Sequence, residues 1–123
     1  MKRVLIIDDE YQIRSVLKEM FELEGFDVVE AGDGKEAIIA QKQNPADLVI
    51  TDIFMPEKEG IETIMDLKKD YPDLKIIAMS GGSTCGAKNY LKIAENAGAN
   101  YTFTKPVRFR DLMDAVRSLI NDE

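Results

Sequence analysis

The sequence predicts an α/β protein: a doubly wound, five-stranded parallel sheet in the order 2-1-3-4-5, with helices on both faces. Three observations lead there. First, five short runs, at 4–7, 26–31, 48–52, 76–79 and 100–104, alternate with longer stretches whose apolar residues recur at helical spacing, the signature of strand-helix units in a parallel sheet. Second, the runs Val4-Leu5-Ile6-Ile7, Leu48-Val49-Ile50 and Ile76-Ile77-Ala78-Met79 are apolar throughout, as strands buried on both faces are, whereas Phe26–Ala31 and Asn100–Thr104 are mixed and suit edges. Third, of the doubly wound orders, 2-1-3-4-5 puts the second and fifth strands at the edges, with its switch point between the first and third.

The totals fit one domain over residues 1–123, large enough to bury a core without staples. With 45% hydrophobic and 32% charged residues the chain is globular rather than disordered or fibrous. A net charge of −7, with Lys and Arg scattered, argues against direct nucleic-acid binding and for protein partners. Cys85 is the single cysteine, which excludes an internal disulfide and zinc sites built from several Cys and His. Met1-Lys2-Arg3 leads into only four apolar residues before Asp8, too few for a signal peptide or a membrane span, so a cytoplasmic location is expected. The histidine count is 0, which removes His-based acid-base catalysis and any phosphohistidine of the chain's own.

Taken in order, the first strand ends in Asp8-Asp9-Glu10. One acid would serve the positive end of a following helix, and three in a row exceed that need. The first helix carries Ile13, Val16, Leu17, Met20 and Phe21 on its core face and stops at Gly25. After the second strand, Gly32-Asp33-Gly34 forms a loop, and the next helix, through Ala37, Ile38 and Ala40, runs into Asn44-Pro45. The third strand ends abruptly at Asp52, ahead of a turn at Met55-Pro56, and Gly60, Ile61, Ile64 and Met65 give a third helical face closed by Tyr71-Pro72. The fourth strand stops at Ser80-Gly81-Gly82-Ser83. A helix with a poorly defined start near Cys85-Gly86 presents Tyr90, Ile93, Ala94 and Ala97 and ends at Gly98. The fifth strand delivers Lys105-Pro106, and the last helix places Leu112, Ala115, Val116, Leu119 and Ile120 on one stripe.

Open α/β sheets bind ligands outside the carboxyl ends of their strands at the switch point, so Asp8, Asp9 and Asp52 are expected to converge there, with Ser80 and Lys105 arriving from neighbouring strands. Asp52 alone would equally end a strand and cap a turn. As a group, three carboxylates at ~4 Å repel by roughly 4 kcal/mol per pair at an effective dielectric near 20, and a cation must offset that. Mg²⁺ suits a site with one or two protein carboxylates plus water and a phosphoryl group, and Lys105 supplies a mobile point charge. A plain salt-bridged cluster is the simpler alternative.

Asp8-Asp9, Asp52 with Met55-Pro56 and Gly60 following, Ser80-Gly81, and Lys105-Pro106 together resemble, over essentially the whole chain, the receiver domain of two-component response regulators, the chemotaxis-type flavodoxin-like fold. The resemblance implies that Asp52 is the phosphoacceptor, taking a phosphoryl group from a phosphohistidine on a partner histidine kinase or phosphotransfer protein. It implies that Asp9, Asp52 and the backbone carbonyl of Phe54 hold Mg²⁺, that Asp8 acts largely through bound water, that Ser80 and Lys105 engage the phosphoryl oxygens, and that the Lys105-Pro106 bond is cis. It further implies a slow self-catalysed chemistry rather than an enzyme, and a surface of the fourth helix, fifth strand and fifth helix that meets an output domain, a protein or a second copy. The chain departs from the family at the switch position, where Thr102 stands in place of an aromatic residue and Tyr101 precedes it, on the opposite face of the strand. Val107 stands where phenylalanine is common, and Phe54, bulky beside the acceptor, is expected to slow attack of water on the acyl phosphate.

Three other readings compete. A flavin module of the same fold needs a hydroxyl- and glycine-rich loop where Asp8-Asp9-Glu10 would repel the phosphate. An aspartyl-phosphate phosphatase places a second aspartate two residues after the nucleophile, where this chain has Phe54. A pseudo-receiver would keep the fold as a binding module without phosphorylation.

Overall fold

The computed structural model describes residues 2–53, 60–81 and 87–120, with 87–91 described in their backbone only. In chain order the elements are β1 (Arg3–Ile7), α1 (Tyr11–Leu23), β2 (Asp27–Ala31), α2 (Gly34–Gln43), β3 (Leu48–Asp52), α3 (Gly60–Asp70), β4 (Lys75–Gly81), α4 (Ala87–Ala97), β5 (Tyr101–Lys105) and α5 (Phe109–Ile120). All strands pair in parallel, in the order β2-β1-β3-β4-β5 that strand polarity predicts. β3 is buried along its whole length, while β2 and β5 are mostly half-exposed edges.

Because side chains alternate across a strand, the sheet sorts its apolar residues into two layers. Val4, Ile6, Leu48, Ile50, Ile77 and Met79 face α1 and α5, where Phe21, Leu112 and Val116 meet them. Leu5, Ile7, Val49, Ile76 and Ala78 face α2, α3 and α4, against Ala37, Ile64, Leu67 and Ala94. Each large side chain so buried contributes about 1.5–3 kcal/mol. α1 ends where Gly25 takes φ +95. The Gly25 and Phe26 N–H groups return to the carbonyls of Glu22 and Phe21 at 3.0 and 3.1 Å, and the Phe21 and Phe26 rings meet edge to face at 5.6 Å. Gly98, at φ +128, closes α4 with the same pair of bonds.

Several boundaries and faces differ from the sequence expectation. β4 runs on through Ser80 and Gly81, which pair with Thr104 and Lys105, so these residues extend the strand instead of ending it. Gly34 belongs to α2, whose N-terminus is capped by the Asp33 carboxylate accepting from the Glu36 N–H at 2.9 Å. Met65, Ile93 and Val16, expected on core faces, are 56%, 47% and 55% exposed. α3 is rolled so that Gly60, Thr63, Ile64 and Leu67 take the sheet side, and on α4 the small Ala94 fills the contact and leaves Ile93 at the margin. The Met55-Pro56 turn, Phe54, Gly82, Ser83, Cys85-Gly86 and the Tyr90 side chain lie outside the described residues. No helix among the described residues is long and apolar enough to cross a membrane.

Candidate functional site

Strand alternation carries one set of side chains to the carboxyl end of the sheet on the α1/α5 face. Asp8 continues the Val4, Ile6 series, Asp52 the Leu48, Ile50 series, and Lys105 follows Phe103. Asp8, Asp9 and Asp52 each offer a carboxylate oxygen, and these oxygens lie within 4.8 Å of one another. Asp8 and Asp52 are buried and Asp9 is exposed. Lys105 Nζ stands 3.3 Å from Asp8 Oδ2 and 3.3 Å from Asp52 Oδ2, bridging the two buried acids.

The ammonium's environment pulls in two directions. Burial pushes its pKa down, but the Asp52 and Asp8 carboxylates outweigh that and hold it above the ordinary lysine value. Among the described residues Lys105 bridges the two buried acids, and the third, Asp9, lies beside them without an ion pair of its own. Oxygen-only donors at this spacing, with one carboxylate open to water, fit a hard divalent cation.

The backbone around the acids is tightly held. Asp8 N–H donates to the Ala31 carbonyl at 3.1 Å, and Asp8 Oδ1 accepts from the Glu10 N–H at 2.9 Å. Thr51 Oγ1 donates to the Asp52 carbonyl at 2.9 Å, and Gly60 N–H donates to the Ile53 carbonyl at 2.8 Å. Gly60 brings α3 against the backbone that carries Asp52: a Cβ there would fall on the Asp52 carbonyl oxygen and come within 2.6 Å of the Ile53 Cα.

Ser80 lies one residue beyond Met79, the register partner of Asp52. It shares its side of β4 with Ile76 and Ala78, so it faces the α2–α4 layer, is fully buried, and its hydroxyl has no hydrogen-bond partner among the described residues. The two candidate switch residues also divide between faces, as the one-residue offset predicts. Tyr101 OH lies 3.1 Å from Ser118 Oγ on α5, while Thr102 Oγ1 donates to Glu95 Oε2 on α4 at 3.2 Å. The Lys105-Pro106 bond is cis.

Sequence reasoning missed Arg14. Its Nη1 donates to the Asp8 carbonyl at 2.7 Å and its Nε to Glu30 Oε1 at 3.1 Å. The available signal was a cation in the first turn of α1, where the helix macrodipole disfavours one.

Fold and site together define a class: a doubly wound α/β module whose acidic, lysine-bridged crevice opens at the carboxyl ends of its strands. Residues 4–117 match the family model of the response regulator receiver domain, and the chain belongs to that family, the receiver domains of two-component systems. It is 32% identical over 120 residues to the transcriptional regulatory protein CpxR of Escherichia coli (strain K12), covering 98% of this chain and 50% of that protein, so the chain spans about half the length of this relative. The chemotaxis protein CheY of Halobacterium salinarum is 35% identical over 120 residues, with 97% of each chain covered. Among solved structures, the response regulator protein TrrA of Thermotoga maritima in complex with Mg(2+)-BeF superposes with a TM-score of 0.85 at 34% identity, covering 98% of this chain and 100% of that one.

Proposed function

We propose that this chain is a single receiver domain over residues 1–123 in which Asp52 accepts a phosphoryl group from the phosphohistidine of a histidine kinase or phosphotransfer protein. The observation that carries this reading is Lys105 poised 3.3 Å from both Asp8 and Asp52, in a crevice whose three carboxylates crowd within 4.8 Å. A carboxylate is an adequate nucleophile toward phosphorus when the incoming charge is neutralised, because this chemistry is mostly positioning and electrostatics. An Asp52 oxygen forms the new O–P bond as the P–N bond to the donor's imidazole breaks, and the imidazole nitrogen takes up a proton. Asp9 and Asp52, with the carbonyl of Phe54, would hold Mg²⁺, and Asp8, whose oxygens Lys105 and the Glu10 N–H engage, would act through bound water. When bound, Mg²⁺ supplies the positive charge that offsets the carboxylates and the phosphoryl oxygens.

Lys105 then exchanges its carboxylate partners for phosphoryl oxygens, and the Ser80 hydroxyl, which has no partner among the described residues, turns to donate to them. Ser80 and Thr102 share the α4 side of the sheet, so this turn disturbs the Thr102–Glu95 hydrogen bond and carries the signal to the α4-β5-α5 surface. Thr102 fills the switch position; Tyr101, tied to α5, reports on the other face. That surface meets an output domain, a protein or a second copy of the chain in the cytoplasm. The transcriptional regulator CpxR, twice this length, supports an output beyond the receiver, and the Mg(2+)-BeF complex of TrrA supports the cation. The domain turns over no external substrate, and hydrolysis of its own acyl phosphate is slow.

Incubation with beryllofluoride or acetyl phosphate and saturating Mg²⁺ is expected to modify wild-type protein at one site, read by mass spectrometry for acetyl phosphate and by ¹⁹F resonance for beryllofluoride. Asp52→Asn should abolish both signals. No modification of the wild type by either reagent would overturn the reading in favour of a phosphorylation-independent binding module.

A further inference from the structure

Asp9, the exposed acid of the crevice, makes no hydrogen bond or ion pair of its own among the described residues, so it is the backbone carrying its Cα–Cβ bond that limits where its carboxylate can reach. That backbone is held on both sides of Asp8. The Asp8 N–H is tied to Ala31 at the end of β2, and the Asp8 carbonyl, which belongs to the peptide group joining Asp8 to Asp9, accepts the 2.7 Å bond from Arg14 Nη1. Arg14 is itself fixed: its Nε donates to Glu30 Oε1 at 3.1 Å, its guanidinium carbon lies 5.4 Å from the Tyr11 ring centre, and its side chain is only 16% exposed. Glu30 is delivered by β2 on the α1 side of the sheet, opposite Ile6 in register.

From this chain of contacts we infer that Arg14, clamped by Glu30, is a positioning residue that orients the Asp8–Asp9 peptide and so aims the Asp9 carboxylate at the cation. The inference rests on the proposed Mg²⁺ site. A planar guanidinium suits the task, because its fork of donors grips a carbonyl and a carboxylate at once, which an ammonium does less well. Groups that orient ligands from behind typically change metal affinity by ~10–100-fold when removed. Mere electrostatics gives the opposite sign: taking a cation away from an acidic site would tighten Mg²⁺ binding.

Isothermal titration of apo protein with Mg²⁺ alone separates these outcomes. Arg14→Ala is expected to raise the Mg²⁺ Kd by roughly tenfold or more, and Glu30→Ala by a smaller factor, roughly threefold to tenfold. Glu30→Gln, which keeps an acceptor for Arg14 Nε, should stay within about threefold of wild type. At saturating Mg²⁺ the beryllofluoride signal of Arg14→Ala should return. Unchanged or tighter Mg²⁺ binding by Arg14→Ala, with the wild type binding normally, overturns the proposal, whereas a wild type that binds no Mg²⁺ overturns the cation reading beneath it. Should Arg14→Ala not fold, the two Glu30 variants decide: equal affinities for them would sink the clamp.

Discussion

At the scale of the residue, Lys105 is the group whose energetics are most exposed to test. Its folded-state pKa is raised above 10.5 because Asp52 and Asp8 outweigh the cost of burial. A cation held in this way contributes stability that is fully present below its unfolded-state value and is lost as pH rises through the higher folded-state value. Lys105→Met should therefore destabilise the apo protein by about 3 kcal/mol near neutral pH, since it leaves two buried carboxylates without their bridge. The difference from wild type should shrink in denaturant titrations above about pH 10.5. A gap that stays constant, or widens with pH, would mean that the lysine stabilises through its alkyl stem alone. Asp8, Asp52 and Lys105 could be placed together from the sequence because strand ends, charge and topology all pointed to one crevice. Ser80 could be placed only in part: its position at the end of the strand was legible, but that β4 continues through it, so that alternation turns its side chain with Ile76 and Ala78, was not.

At the scale of the element, α3 shows how close approach is written into a single glycine. The sequence suggests Gly60 as the start of a helical face and as part of the family pattern, whereas in the fold its missing side chain lets α3 sit against the Asp52 carbonyl, with its N–H bonded to Ile53. Gly60→Ala should cost about 2–3 kcal/mol, as overpacking against backbone does, and should lower the urea midpoint without changing the slope of the transition. A midpoint equal to wild type would show that α3 can withdraw freely from β3. Close packing against the sheet also governs why Met65 on α3 and Ile93 on α4 lie off their expected core faces. Helical periodicity gives a stripe, but the roll of the helix within that stripe depends on which residues are small enough to touch the sheet, a tertiary property with no local signature. The edge strands were legible because edge polarity is local, and the division of Tyr101 from Thr102 followed from the two-residue period alone.

At the scale of the whole molecule, the order β2-β1-β3-β4-β5 gathers acids from separate segments of a chain that already carries a net charge of −7. The fold therefore holds its crevice at a cost in stability, which a bound cation would relieve. Asp9 tests that balance well, because it is exposed, has no partner of its own among the described residues, and lies within 4.8 Å of both buried acids. At that spacing the repulsion per pair is about 1 kcal/mol in water and several times that in a partly buried site, less whatever Lys105 screens. Asp9→Ala should accordingly raise the stability of the apo protein by about 1 kcal/mol, and added monovalent salt should narrow the difference by screening the wild type. Mg²⁺ should reverse the ranking. Wild type gains about 2.7 kcal/mol at a concentration a hundred times its Kd, while the variant, short of a ligand, gains little. Thermal melts in chelator and in excess Mg²⁺ measure both effects on the same samples. If Asp9→Ala instead loses more than about 1 kcal/mol in chelator, Asp9 supports the fold and the crowding of acids is not what the cation relieves.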